Sequence, residues 1–132
     1  MHENEITKAV IAAAIEVHRH LGPGLMESTY EECLCRELLL RNLKFERQVS
    51  IPVKYKGVQL ECSYRLDLIV EDKVIIEIKS VEIVTPVHKK QLITYLRLMN
   101  KKVGLVINFN EAVLKHGIHR LINGFLDPMP NE

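Results

Sequence analysis

Apolar positions along the chain change their period twice. Ile6, Val10, Ala13, Ala14 and Val17 recur at helical spacing, so residues 4 to about 20 read as an amphipathic helix. Leu21-Gly22-Pro23-Gly24 stops it, because a glycine past the end followed by proline cannot carry the helix on. A second helix is predicted from about Met26 to Arg41, with Tyr30, Leu34, Leu38 and Leu39 along one side. The period then shortens. Phe45, Val49, Ile51, Val53 and Tyr55 mostly alternate with polar residues and predict a strand, with Pro52 marking an edge or a bulge. Lys56-Gly57 is a turn, and Val58 to Cys62 with Arg65 to Val70 form the next strand, kinked near Ser63. After the polar turn Glu71-Asp72-Lys73, Val74 to Lys79 is a third strand. Thr85 caps a helix with Pro86 at its first position, running to about Asn100. The continuous apolar run Val103 to Phe109 suits a buried strand. Glu111 to Asn123 fits two descriptions, a loop with a short strand at Ile118 to Ile122 or a helix capped by Asn110. The order α-α-β-β-β-α-β predicts an α/β fold, a mixed central sheet flanked by helices, in one domain over residues 1–132.

The alternation also sorts charges. Leu66, Leu68 and Val70 are expected on one face of their strand and Asp67 on the other; Val74, Ile76 and Ile78 share a face, with Glu77 and Lys79 opposite. If the loop is Glu71-Asp72-Lys73, Val70 opposes Val74 and Asp67 falls opposite Glu77. A loop one residue shorter would mix the faces, so the hydrophobic pattern selects the three-residue loop. Two carboxylates facing across a hairpin repel by up to about 1 kcal/mol. A divalent cation with oxygen ligands resolves this, and Lys79 on the same face resolves it in part. Carboxylates with a nearby ammonium are what metal-assisted phosphodiester hydrolysis requires. The plain alternative is an ion pair of Lys79 with Glu77 or Asp67 on a solvated sheet face; the apolar flanks and the helix that follows argue for a covered, central strand instead.

Composition narrows the remaining classes. The 132 residues are 47% hydrophobic and 27% charged with a formal net charge of +1, so nucleic-acid binding needs a local patch rather than a uniformly basic surface. Two such stretches exist: His88-Lys89-Lys90, Arg97 and Lys101-Lys102, and Arg36, Arg41, Lys44, Arg47, Lys54 and Lys56. Either could equally be a solvated face. Three cysteines, Cys33, Cys35 and Cys62, without zinc-site spacing, a polar N-terminus and no apolar run near the roughly 18 to 20 residues of a membrane span lead us to expect a cytoplasmic protein with free thiols and no membrane partner. His116 and His119 read as surface histidines.

A helix, then strands carrying Asp67 and Glu77-x-Lys79, then a helix: this order resembles the core of the PD-(D/E)xK nuclease superfamily. Upstream, Gly24-Leu25-Met26-Glu27-Ser28-Thr29-Tyr30 reads Gly-x-x-Glu-x-x-Tyr and looks like the small GxxExxY proteins grouped with it. The resemblance spans about Ile6 to Gly124. One departure is Leu66, where the strict pattern has proline. The resemblance implies a restriction-endonuclease-like domain and a metal-dependent nuclease using Mg²⁺ or Mn²⁺, held by Glu27, Asp67, Glu77 and the main-chain carbonyl of Ile78. It implies that Lys79 serves the attacking water. Gln91 and Tyr95, spaced as in the Gln-x-x-x-Tyr motif of RecB-type nucleases, would place substrate or brace the site from one helical face. Read without the resemblance, Glu27 is a first-turn acid favoured by the helix dipole, Tyr30 a core aromatic, and Gln91 with Tyr95 an amphipathic boundary. The implied partner is nucleic acid, DNA in preference to RNA, with a homodimer as one arrangement. The rival from another class is a non-catalytic nucleic-acid- or protein-binding module that keeps the nuclease fold.

Overall fold

The computed structural model describes residues 1–61 and 64–130, so Cys62 and the kink expected near Ser63 lie outside the described residues. The N-terminal periodicity folds as α1 (Glu3–Leu21) and α2 (Glu27–Leu40). At the start of α1 the His2 ring accepts from Asn4 N and the Glu5 carboxylate accepts from His2 N, satisfying main-chain donors the first turn leaves open. Gly22, at φ 68°, ends α1 in a conformation that costs a residue with a Cβ. Its carbonyl accepts from the Tyr30 hydroxyl at 2.6 Å, and the same hydroxyl accepts from Leu25 N at 3.1 Å. The Tyr30 ring stacks on Phe109 with centroids 4.5 Å apart. One side chain thus straps the interhelical loop to α2 and sets where the first turn of α2 begins.

The alternating segments give β1 (Phe45–Ser50), β2 (Val53–Tyr55), β3 (Val58–Leu60), β4 (Arg65–Val70) and β5 (Val74–Lys79); then come α3 (Pro86–Met99), β6 (Val103–Asn108), a 3-10 turn (Leu114–Gly117) and β7 (Ile118–Ile122). The central sheet runs β1-β4-β5-β6-β7, with β5 and β6 parallel and the other pairs antiparallel, so it is mixed as expected. Two expected strands are each split in two. Pro52 cannot donate to a ladder, so the first stops at Ser50; β2 then pairs with β3 in a separate hairpin, and only β4 re-enters the central sheet. Of the two descriptions of the tail, the short strand at Ile118–Ile122 is the one that forms.

Helices cover both faces. Ile6, Val10, Tyr30 and Leu34 of α1 and α2 pack on Leu68, Val70, Val74, Ile76, Ile78, Leu105 and Ile107. Leu92, Tyr95 and Leu96 of α3 pack on Ile69, Ile75 and Val106. Burying a Leu or Ile side chain contributes about 1.5–3 kcal/mol, so these two layers hold the sheet between them. Leu66 corrects the strict alternation expected for β4: it packs with the α3 layer, beside Ile69, while Leu68 and Val70 lie in the α1–α2 layer. The strand's faces slip at Asp67, between them.

Gly117 lies against β6 so closely that an added Cβ would sit 2.5 Å from the Asn108 carbonyl oxygen. A main-chain atom cannot swing away. Gly117→Ala should therefore lower unfolding free energy in urea by about 1–3 kcal/mol; an unchanged midpoint would show that this packing is looser than the distance implies.

Candidate active site

Val70 pairs with Val74, Ile69 with Ile75 and Leu68 with Ile76, the register the three-residue loop demands. The main-chain ladder stops there, although both strands run on, and side chains take over. Asp67 N donates to Glu77 Oε2 at 2.8 Å, and Ile78 N donates to Asp67 Oδ2 at 2.8 Å. Each carboxylate thus reaches the other strand's main chain and stands where a carbonyl would have accepted. In a strand a residue's N–H and C=O point the same way. The Ile78 carbonyl therefore points toward β4 with its N–H, while the Lys79 carbonyl points to β6 and accepts from Phe109 N at 2.9 Å. The two carboxylates thus meet where the ladder between β4 and β5 ends.

Glu77 is 5% exposed. Burial, and then the neighbouring charge of Asp67, push its carboxyl up to about 8, while Lys79 draws it down. Lys79 is half-buried on the same strand face as Glu77, and among the described residues its ammonium forms no ion pair. Tyr95 is buried; burial first, and then the negative charge of Glu77, raise its phenol, with Tyr64 and Asp67 adding to the effect. It therefore lies near enough to the carboxylate pair to feel both charges. Gln91, four residues earlier, lies out in solvent. Spacing placed Gln91 and Tyr95 on one face, yet only Tyr95 is drawn into the interior.

Glu27 approaches the same strand end from α2. Its Oε2 accepts from Ser80 N at 3.0 Å, and the Ser80 hydroxyl donates to Leu25 O at 2.6 Å. Among the described residues, no three His, Cys, Asp or Glu side chains gather at one point to hold a metal ion. Asp67 and Glu77 come together, and Glu27 stands at the exit of β5 engaged with main chain. That is still a fitting donor set for Mg²⁺ or Mn²⁺: hard oxygen atoms, a buried carboxylate whose charge is poorly neutralised, and a carbonyl beside it. Mg²⁺ ordinarily takes one or two carboxylates and keeps several waters.

Several residues at the site escaped the sequence reading. Gln48 of β1 stands opposite Asp67 by register, with φ 49° in the middle of a strand. A left-handed residue with a Cβ costs roughly 1–2 kcal/mol. Its Nε2 donates to Glu31 Oε1 at 2.8 Å and to Asp67 Oδ1 at 3.3 Å. Glu31 is buried and ion-paired with Arg47 at 2.8 Å. Asn108, fully buried at the end of β6, accepts from Val81 N at 3.1 Å and donates to Val81 O at 2.8 Å, pinning the chain just beyond Ser80. A single amide closing an otherwise apolar run was the available signal for Asn108. Of the two basic stretches, Arg47, Arg41 and Lys101 are engaged by Glu31 and Glu32, Glu37 and Asp72. Lys89, Lys90 and Arg97 on α3 form no ion pair among the described residues. His116 is exposed; His119 is half-buried and its ring is lowered by burial and then by Lys89. Cys33 and Cys35 are free thiols, and burial pushes Cys35 up to about 11.

No helix among the described residues is long and apolar enough to cross a membrane. A family model described as the PD-(D/E)XK nuclease superfamily matches residues 4–121. No curated protein and no solved structure matches the chain.

The titration of Glu77 has a defined sign. A carboxyl raised from 4.5 to about 8 binds its proton more tightly folded than unfolded, so the metal-free protein loses stability as pH rises from about 5 to 8. Urea unfolding across that range should show the fall, and Glu77→Gln should flatten it. An equal slope in both proteins would place the titrating group elsewhere.

Proposed function

Because the chain belongs to the PD-(D/E)XK nuclease superfamily, we propose that it is a nuclease that hydrolyses phosphodiester bonds of DNA with Mg²⁺ or Mn²⁺. The observation that carries this reading is the carboxylate pair at the end of the β4–β5 ladder, where each acid binds the opposite strand's main chain and one of them is buried. The run Gly24-x-x-Glu27-x-x-Tyr30 supports placing the chain among the GxxExxY proteins within the superfamily.

Asp67, Glu77 and the Ile78 carbonyl would hold the cation, and Glu27 would join through its carboxylate at the exit of β5. A bound divalent cation supplies positive charge to the phosphate and lowers the pKa of water. Lys79 orients the attacking water and stabilises charge developing on the phosphate, a role open to it because its ammonium forms no ion pair among the described residues. Tyr95 shuts bulk water out on the α3 side. Gln91, exposed one turn away, contacts the substrate. Lys89, Lys90 and Arg97 of α3, which form no ion pair among the described residues, give the nucleic-acid backbone its electrostatic footing.

Purified protein with Mn²⁺ should cleave labelled DNA, and Lys79→Ala should slow cleavage by about 10²- to 10⁴-fold. Single- and double-stranded DNA and RNA run side by side identify the substrate. Binding without cleavage in every lane would make the protein a recognition module on a nuclease fold. Cleavage unchanged by Lys79→Ala would remove the lysine from the mechanism.

A further inference from the structure

Gln48 has an unusual combination of properties. It is the residue of β1 that faces Asp67, it takes a left-handed conformation that a strand does not ask for, and its side-chain nitrogen touches two carboxylates. An amide nitrogen carries two N–H groups. Here one goes to Glu31 Oε1 at 2.8 Å and the other to Asp67 Oδ1 at 3.3 Å. The two contacts fix the amide's orientation, because the flipped group would set its oxygen against two negative charges. The pairing register is the same before Gln48, at Arg47 with Leu68, as after it, at Val49 with Leu66, but both strands change face there: Phe45 and Leu68 pack in the α1–α2 layer, Val49 and Leu66 in the α3 layer. Left-handed residues other than glycine persist where the surroundings over-determine them, and they cluster at functional sites.

We propose that Gln48 is a positioning residue that aims the Asp67 carboxylate, and that it is one link in a chain Arg47–Glu31–Gln48–Asp67 that runs through Glu31 of α2 to the site. The proposal rests on Asp67 being a metal-holding acid. Glu31 is buried and held on its other oxygen by Arg47 Nε at 3.1 Å and Nη2 at 2.8 Å. It cannot swing away, so the amide it anchors is fixed in turn. Asp67 Oδ2 is already set by Ile78 N, and Gln48 sets Oδ1, so the carboxylate plane is determined at both ends. Partners one layer behind a metal ligand commonly change affinity by about 10- to 100-fold when removed.

Two variants separate the amide from the backbone. Gln48→Met keeps the length and the backbone cost and removes the amide. Gln48→Gly removes both, and relieves the left-handed conformation. Mn²⁺ titration calorimetry on the full chain should show both binding at least about tenfold more weakly than the unaltered protein. A backbone role alone would leave the glycine variant binding Mn²⁺ normally and would overturn the proposal. A second measurement needs no metal. In melting temperature, the losses from Gln48→Met and Asp67→Ala should be non-additive, the double variant falling by less than the sum, and the same should hold for Gln48→Met with Glu31→Ala. Simple additivity for the Asp67 pair overturns the proposal. If the unaltered protein takes up no Mn²⁺ at all, the metal-centre reading falls, and the metal-free coupling alone decides whether Gln48 holds Asp67.

Discussion

Glu77 is a carboxylate removed from water with a second carboxylate at its side, and the surrounding fold answers that cost. Burial and like charge both favour the protonated acid, which is why the group titrates near neutrality in the absence of a cation. The protein offsets part of the cost with main-chain hydrogen bonds. It gives Glu77 the Asp67 N–H, gives Asp67 the Ile78 N–H, and ends main-chain pairing early so that both bonds can form. A structural ion pair would have brought Lys79 into contact. Instead the lysine stands near enough to be felt electrostatically and forms no ion pair among the described residues. That arrangement keeps two carboxyl groups and one ammonium close together, as a site for a cation and a phosphate would.

Everything around the pair fixes its frame. Parallel pairing with β6 through Glu77–Val106 and Lys79–Asn108 makes β5 a central strand, and α3 lays Tyr95 over one side. On the other, α2 contributes Glu27 to Ser80 and Glu31 to Gln48. Positions i and i+4 share a helix face, so one edge of α2 touches both the exit of β5 and the strand facing Asp67. Tyr30 belongs to this frame. Its hydroxyl bridges Gly22 and Leu25 while its ring rests on Phe109, and this fixes the loop whose Leu25 carbonyl receives Ser80. In the Gly-x-x-Glu-x-x-Tyr run, the tyrosine is architectural and the glutamate reaches the strand end.

Period-two alternation made Asp67, Glu77 and Lys79 legible, because a local hairpin with a three-residue loop converts sequence position directly into a face and a register. The helices were legible for the same reason, their spacing and caps being local. What sequence alone could not show depends on distant partners. Nothing near Gln48 signals that β1 pairs with β4, so its place opposite Asp67 was invisible, and a non-glycine residue at φ 49° has no sequence signature. The change of face between Leu66 and Leu68 has the same origin: it falls level with the left-handed Gln48 on the facing strand, and alternation presumes a regular one. Pro52 did announce a break, but its scale, two separate hairpin strands, follows from the pairing of β2 with β3.

The parallel pairing of β5 with β6 has a consequence for biosynthesis. An antiparallel hairpin such as β4–β5 closes as soon as its own residues are made, but its parallel neighbour arrives only after α3 has been laid down between them. In a chain made only as far as Met99, the edge of β5 that β6 covers has no partner strand yet. Emergence of Val103–Asn108 is what dries the pocket. Burial of Glu77 therefore waits on the strand made after α3.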